Sequence, residues 1–115
     1  MKRLARSLYH ALRGIFFTLR SERNFQVELT VAGAVFLFML WMPLSRIEES
    51  ILIIAITLVL VLELVNTATE RIMDILKPRV HPYARVVKDV MAGAVLTASF
   101  GAILLGFLIF LPYFF

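Results

Sequence analysis

The sequence of 115 residues contains no cysteine. That removes disulfides, thiolate metal sites and cysteine nucleophiles together, and it leaves the redox compartment undetermined. Glycine is sparse, with five in all, and no run of them forms the phosphate-cradling loop of a soluble nucleotide-binding domain. A kinase catalytic-loop motif and a Ser/His/Asp arrangement are both missing. Charged residues make up only 17% of the chain and hydrophobic ones 61%, against about 45–50% apolar in an ordinary soluble domain. A mean hydropathy of +0.89 points the same way.

What the sequence has instead is apolar length. Residues 27–44 form a first run, ending in "WMPL", where Trp41 suits an interface and Pro43 stops a helix. A second covers 50–73, with a polar extension to about Leu76, and a third covers 90–113. Crossing a hydrocarbon core takes about 20 helical residues, so all three runs predict transmembrane helices once their ends are counted. One chain of this length predicts a single domain over 1–115.

The net charge of +4 is unevenly spread. Lys2, Arg3, Arg6, Arg13, Arg20 and Arg23 precede the first span, and Arg71, Lys77, Arg79, Arg85 and Lys88 lie around the second connection. The first connection has only Arg46, beside Glu48 and Glu49, which read as solvated loop charges. The positive-inside rule therefore predicts a cytoplasmic N-terminus and a cytoplasmic 71–89 segment. Basic residues flanking apolar runs suit lipid headgroups or a phosphorylated small molecule, not nucleic acid. The basic start lacks the unbroken apolar stretch and small-residue site of a signal peptide, so it is expected to be retained.

Within residues 1–24, Leu4, Leu8, Leu12, Ile15 and Leu19 recur at helical steps, and Arg6, Arg13 and Arg20 form a basic line on another face. This predicts an amphipathic helix on the membrane surface. Residues 76–83, "LKPRVHPY", read as a loop because Pro78 and Pro82 break helices. In the third span Ala94, Ala98, Ala102 and Gly106 fall every four residues, a spacing that lets helices approach closely in lipid. Three helices make a thin core, so an oligomeric bundle is expected.

The segment "ELVNTATERIMD" (63–74) raises the chemical question. It continues the charge-free run "ILIIAITLVLVL" yet carries Glu63, Asn66, Glu70 and Asp74. A residue advances about 100° around a helix, so offsets of 3, 7 and 11 place the last three within roughly 60° of Glu63, on a stripe about 16 Å long. Carboxylates near a bilayer are costly and mark ion, proton or substrate sites. Oxygen donors without cysteine favour a hard cation such as Mg²⁺. With Glu22 and Glu28 before the first span, and Lys88 and Asp89 before the third, the set suits phosphoryl transfer. It equally suits a small proton-coupled transporter subunit, and the residues alone leave both classes open.

The segment resembles the E-x-x-N-[TS]-x-x-E-x-x-x-D signature of the small prokaryotic diacylglycerol kinase/undecaprenol kinase family, and "ALRGI", "SERNFQVE" and "ARVVKDVMAGAVL" extend the likeness over nearly the whole chain in order. Thr69, where the family commonly has an aliphatic residue, is a departure beside none of the implied catalytic groups. The resemblance implies an all-α bacterial inner-membrane protein, a surface helix and three transmembrane helices assembled as a homotrimer. It implies transfer of the γ-phosphate of ATP to the hydroxyl of a membrane lipid, with Mg²⁺ as cofactor. Glu63 would be the general base and Asn66 would orient groups around it. Glu22 and Glu70 would hold Mg²⁺ on the nucleotide. Lys88, Asp89 and the stretch Arg79, Val80 and His81 would contact that nucleotide, with Arg3 and His10 as further contacts. Arg20, Glu28 and Glu63 would face the lipid. The stretch "VHPYARVVKD" looks more like the undecaprenol branch than the diacylglycerol branch.

Overall fold

The structure, a computed structural model, describes residues 1–76 and 82–115. The contacts expected of Arg79, Val80 and His81, and the middle of the loop expected over 76–83, therefore lie outside the described residues; the ends of that loop, Leu76, Pro82 and Tyr83, are helical instead, since a proline is tolerated in the first turn of a helix. The protein is all-α, with no strand among the described residues. Helix α1 spans Lys2–Ser21 and α2 spans Arg23–Trp41, followed by α3 over Arg46–Leu76 and α4 over Pro82–Phe114. Helices α2, α3 and α4 are each long and apolar enough to cross a membrane.

The helix ends follow from local chemistry. Helix α2 begins at Arg23, ahead of the apolar run at 27, because polar residues extend a helix into the headgroup layer at no desolvation cost. It stops at Trp41: Met42 is extended (φ −87°, ψ 145°), as the residue before a proline tends to be. Helix α3 starts at Arg46 through a capping box. Ser45 Oγ accepts the Glu48 N–H at 3.1 Å, and Glu48 Oε1 accepts the Ser45 N–H at 2.9 Å. Glu48 and Glu49 are thus first-turn helical acids, not loop charges, and both complement the helix dipole there.

Helices α3 and α4 run antiparallel. At one end Lys88 on α4 pairs with Asp74 on α3, and at the other Tyr113 O–H donates to Glu48 Oε1 at 2.6 Å. Near the second end Met39, Leu52 and Ile109 form a small apolar cluster joining α2, α3 and α4. Tyr113→Phe is therefore expected to lower the thermal midpoint in micelles by a few degrees, followed by circular dichroism. An unchanged midpoint would show that this contact does not hold the two ends together.

The assembly is flat, 55 × 41 × 21 Å, and its shortest dimension is about two helix diameters. Few apolar side chains are buried, while Leu4, Leu8, Leu12 and Phe16 of α1 and Phe36, Leu40, Ile54, Leu96 and Leu108 of the spans stay exposed. In water such a surface would drive aggregation; in a bilayer it faces lipid or neighbouring helices. Gly93, Gly101 and Gly106 also border open space, so the small-residue stripe of α4 is not consumed by packing within the chain.

Candidate active site

The site sits where the apolar run of α3 gives way to polar residues. From Arg46 to Glu63 the helix rises about 26 Å, near the far side of a hydrocarbon core about 30 Å thick. Glu63 is the most deeply buried large side chain described, 1% exposed, with Asn66 and Thr67 also buried. Thr67 Oγ1 donates to the Glu63 carbonyl at 3.0 Å, which removes its hydroxyl from competition for the carboxylate. Asn66 Nδ2 donates to Glu70 Oε1 at 3.3 Å, a contact that sets the two side chains on one face. Further along, Asp74 accepts from Lys88 Nζ.

Helix α2 and the joint before it supply the opposite wall. Glu22 is the single residue between α1 and α2, with extended backbone (φ −117°, ψ 113°). Its N–H donates to the Thr18 carbonyl at 2.9 Å, and its carbonyl accepts from Gln26 N–H at 3.2 Å. The Gln26 side chain closes the end of α1 by donating to the Leu19 carbonyl at 2.8 Å, one of the carbonyls a helix end leaves open. Arg71 on α3 reaches Glu22 Oε1 at 3.2 Å and lies over the Phe17 ring, 5.3 Å from its centroid. Glu22, Glu28 and Glu70 all stand close enough to Glu63 for their charges to be felt there.

Three buried oxygens in this region, Glu28 Oε2, Glu63 Oε2 and Asn66 Oδ1, lack a hydrogen-bond partner among the described residues. Buried polar atoms are nearly always satisfied, so a cluster of orphans is expected where a ligand docks. No three acidic or histidine side chains converge on one point among the described residues. That argues against an all-protein cage and fits Mg²⁺, which keeps waters and takes one or two carboxylates with phosphate oxygens. Below Glu28 an apolar cleft of about 290 Å³ runs between α2, α3 and α4, past Val31, Val35, Val59 and Ile103.

One chain brings together Glu22, Glu28, Glu63, Asn66 and Glu70, with Lys88 tied to the same stripe through Asp74. Asp89 and Arg20 are exposed beside it. Arg3 and His10 lie elsewhere, about 28 Å and 18 Å from Glu22 along the axis of α1, and His10 instead packs edge-on against Tyr9. Sequence reasoning missed Gln26, Thr67 and the Arg71 bridge. Only Arg71 carried a signal, as a lone cation in an acidic segment, and its position among the basic flanks hid it.

The profile of the prokaryotic diacylglycerol kinase family matches residues 9–110. The chain is 41% identical over 112 residues to the undecaprenol kinase of Bacillus subtilis, covering 97% of this chain and 91% of that one. It is 33% identical over 107 residues to a diacylglycerol kinase of Synechocystis, covering 92% of this chain and 61% of the relative. A diacylglycerol kinase of Pseudomonas aeruginosa is 31% identical over 114 residues, 92% of this chain and 91% of the relative.

Proposed function

The chain belongs to the prokaryotic diacylglycerol kinase family and is a multi-pass membrane lipid kinase; from that premise we propose that it transfers the γ-phosphate of ATP to undecaprenol, with Glu63 as general base. The observation that carries the reading is a fully buried carboxylate with an unpartnered oxygen, at the polar edge of a span and near a cleft that suits a lipid chain.

The acceptor lies in the bilayer with its chain along the apolar cleft and its hydroxyl at Glu63. ATP arrives from the cytoplasm at the polar ends of α3 and α4. Glu63 Oε2 takes the hydroxyl proton as the lipid oxygen bonds to the γ-phosphorus and the bond from that phosphorus to the β,γ-bridging oxygen breaks. ADP leaves, and Glu63 returns the proton to water. Asn66, anchored by Glu70, keeps its free amide oxygen toward the reacting groups. Glu22 and Glu70 are the residues that would hold Mg²⁺, and the ion when bound neutralises phosphate charge. Lys88 adds a fixed cation at the same face, and such preorganised charge is a large part of catalysis. Asp89 and the 79–81 stretch extend the nucleotide contact, with Arg3 and His10 reaching it from α1 of a neighbouring subunit. Arg20 and Glu28 border the lipid path.

A homotrimer is part of this reading. The open stripe of α4 and the thin core within one chain support it, as does the distance of Arg3 and His10 from the acidic cluster. The location is the bacterial plasma membrane with the N-terminus and the 71–89 segment cytoplasmic. Undecaprenol is preferred over diacylglycerol because the 41% identical relative is an undecaprenol kinase.

The test offers undecaprenol and diacylglycerol side by side in mixed micelles with Mg²⁺ and γ-labelled ATP. Label is expected mainly in undecaprenyl phosphate. Label mainly in phosphatidate would assign the chain to the other branch, and label in neither lipid from folded protein would remove both acceptors.

A further inference from the structure

We propose that Arg71 is a positioning residue for Glu22, and that by fixing this carboxylate it sets the affinity of the site for its divalent cation. The inference rests on reading Glu22 as a cation ligand. Arg71 follows Glu70 on α3, and its guanidinium reaches back 49 positions to the joint between α1 and α2. There it donates to Glu22 Oε1 at 3.2 Å and stacks over Phe17 of α1.

The joint explains why Glu22 needs such a partner. Its backbone closes the last turn of α1 through Thr18 and opens the first turn of α2 through Gln26, but its own extended φ and ψ place it inside neither helix. Among the described residues Arg71 is the one side-chain donor on its carboxylate. The bond engages Oε1 and leaves Oε2 outside it. Outer partners that orient a ligating carboxylate in this way change metal affinity by about 10–100-fold.

Two alternatives have weaker physical support. As a stabilising ion pair the contact is minor, since the Arg71 side chain is 44% exposed and exposed pairs contribute little. As a repulsive charge near the cation Arg71 would act the other way, weakening metal binding. Its exposure screens that repulsion, whereas the orientation of Glu22 is a contact effect that screening does not touch. Orientation should prevail.

The experiment uses Arg71→Met, which keeps the stem against Phe17 and removes charge and donors. The full chain in lipid nanodiscs, with a non-hydrolysable ATP analogue, is titrated with Mn²⁺ and followed by electron spin resonance. Binding is expected to weaken about tenfold, with the thermal midpoint nearly unmoved. The apparent KM for Mg-ATP rises while that for the lipid stays put, and Arg71→Lys recovers part of the Mn²⁺ affinity. Unchanged or tighter Mn²⁺ binding in Arg71→Met overturns the inference, tighter binding meaning that Arg71 competes with the cation. Glu22→Gln is measured in parallel. If it binds Mn²⁺ like the wild type, the reading of Glu22 itself fails and the inference with it. If Glu22→Gln weakens binding and Arg71→Met does not, only the inference fails.

Discussion

Glu63→Gln is expected to lose about 10³-fold in turnover, within the range a general base contributes, in a variant that folds and assembles like the wild type. Glutamine matches glutamate in volume, so the buried position beside Thr67 is refilled without a cavity. It also replaces an acid whose Oε2 has no hydrogen-bond partner among the described residues, and burying an unpaired charge is one of the more costly things a fold can do. The thermal midpoint should hold or rise. Turnover falls because an amide cannot accept the proton of a lipid hydroxyl. Measured as label transferred per unit time at saturating lipid, Mg²⁺ and ATP, the loss should not be recoverable by raising any of the three. Wild-type rates in this variant would remove Glu63 from the proton path, and a folded variant with slow but metal-responsive turnover would move it to the cation site.

The parts of this architecture visible in the sequence are those that local geometry fixes. Three apolar runs had to be helices because a bilayer lets the backbone pair its polar groups only in a helix or a closed barrel, and runs of about 20 apolar residues have the length of helices, not of barrel strands. The acidic stripe was visible because helical periodicity alone aligns positions 63, 66, 70 and 74, and the Asn66–Glu70 hydrogen bond is the direct expression of that spacing. The capping box at Ser45 and Glu48 was equally readable, since its S-x-x-E pattern stands before an apolar run; taking Glu48 and Glu49 for loop charges overlooked it. The break at Glu22 had no such sign. Neither glycine nor proline marks it, and it depends on Gln26 closing α1 and on Arg71 reaching across from α3. Contacts between residues 49 positions apart are set by how helices pack, which no local pattern encodes. The same holds for the cleft beside Glu28, whose walls come from three helices.

Glu70→Gln should raise the Mg²⁺ concentration for half-maximal activity by about 100-fold, the upper end of what even an outer partner of a metal ligand can cost. Glu70 and Glu63 share one helical face but differ in surroundings. Glu63 is almost completely buried, whereas Glu70 is half-buried at the polar end of α3 and already accepts the Asn66 amide through Oε1. Its second oxygen is thus the one available to a cation at the membrane face. Glutamine preserves an amide oxygen there, a neutral and weaker ligand for a hard cation, so excess Mg²⁺ should restore a substantial part of the rate. That recovery separates the two carboxylates: metal rescues the loss of a ligand and cannot rescue the loss of a base. A titration of activity against Mg²⁺ at fixed Mg-ATP, run on both variants, reads the difference directly. An unchanged midpoint in Glu70→Gln would take Glu70 out of the cation site and leave Asn66 as its only function. A deep loss that no Mg²⁺ concentration recovers would instead make Glu70, not Glu63, the proton acceptor, a role its position nearer the aqueous face makes chemically weaker because water there competes for the proton.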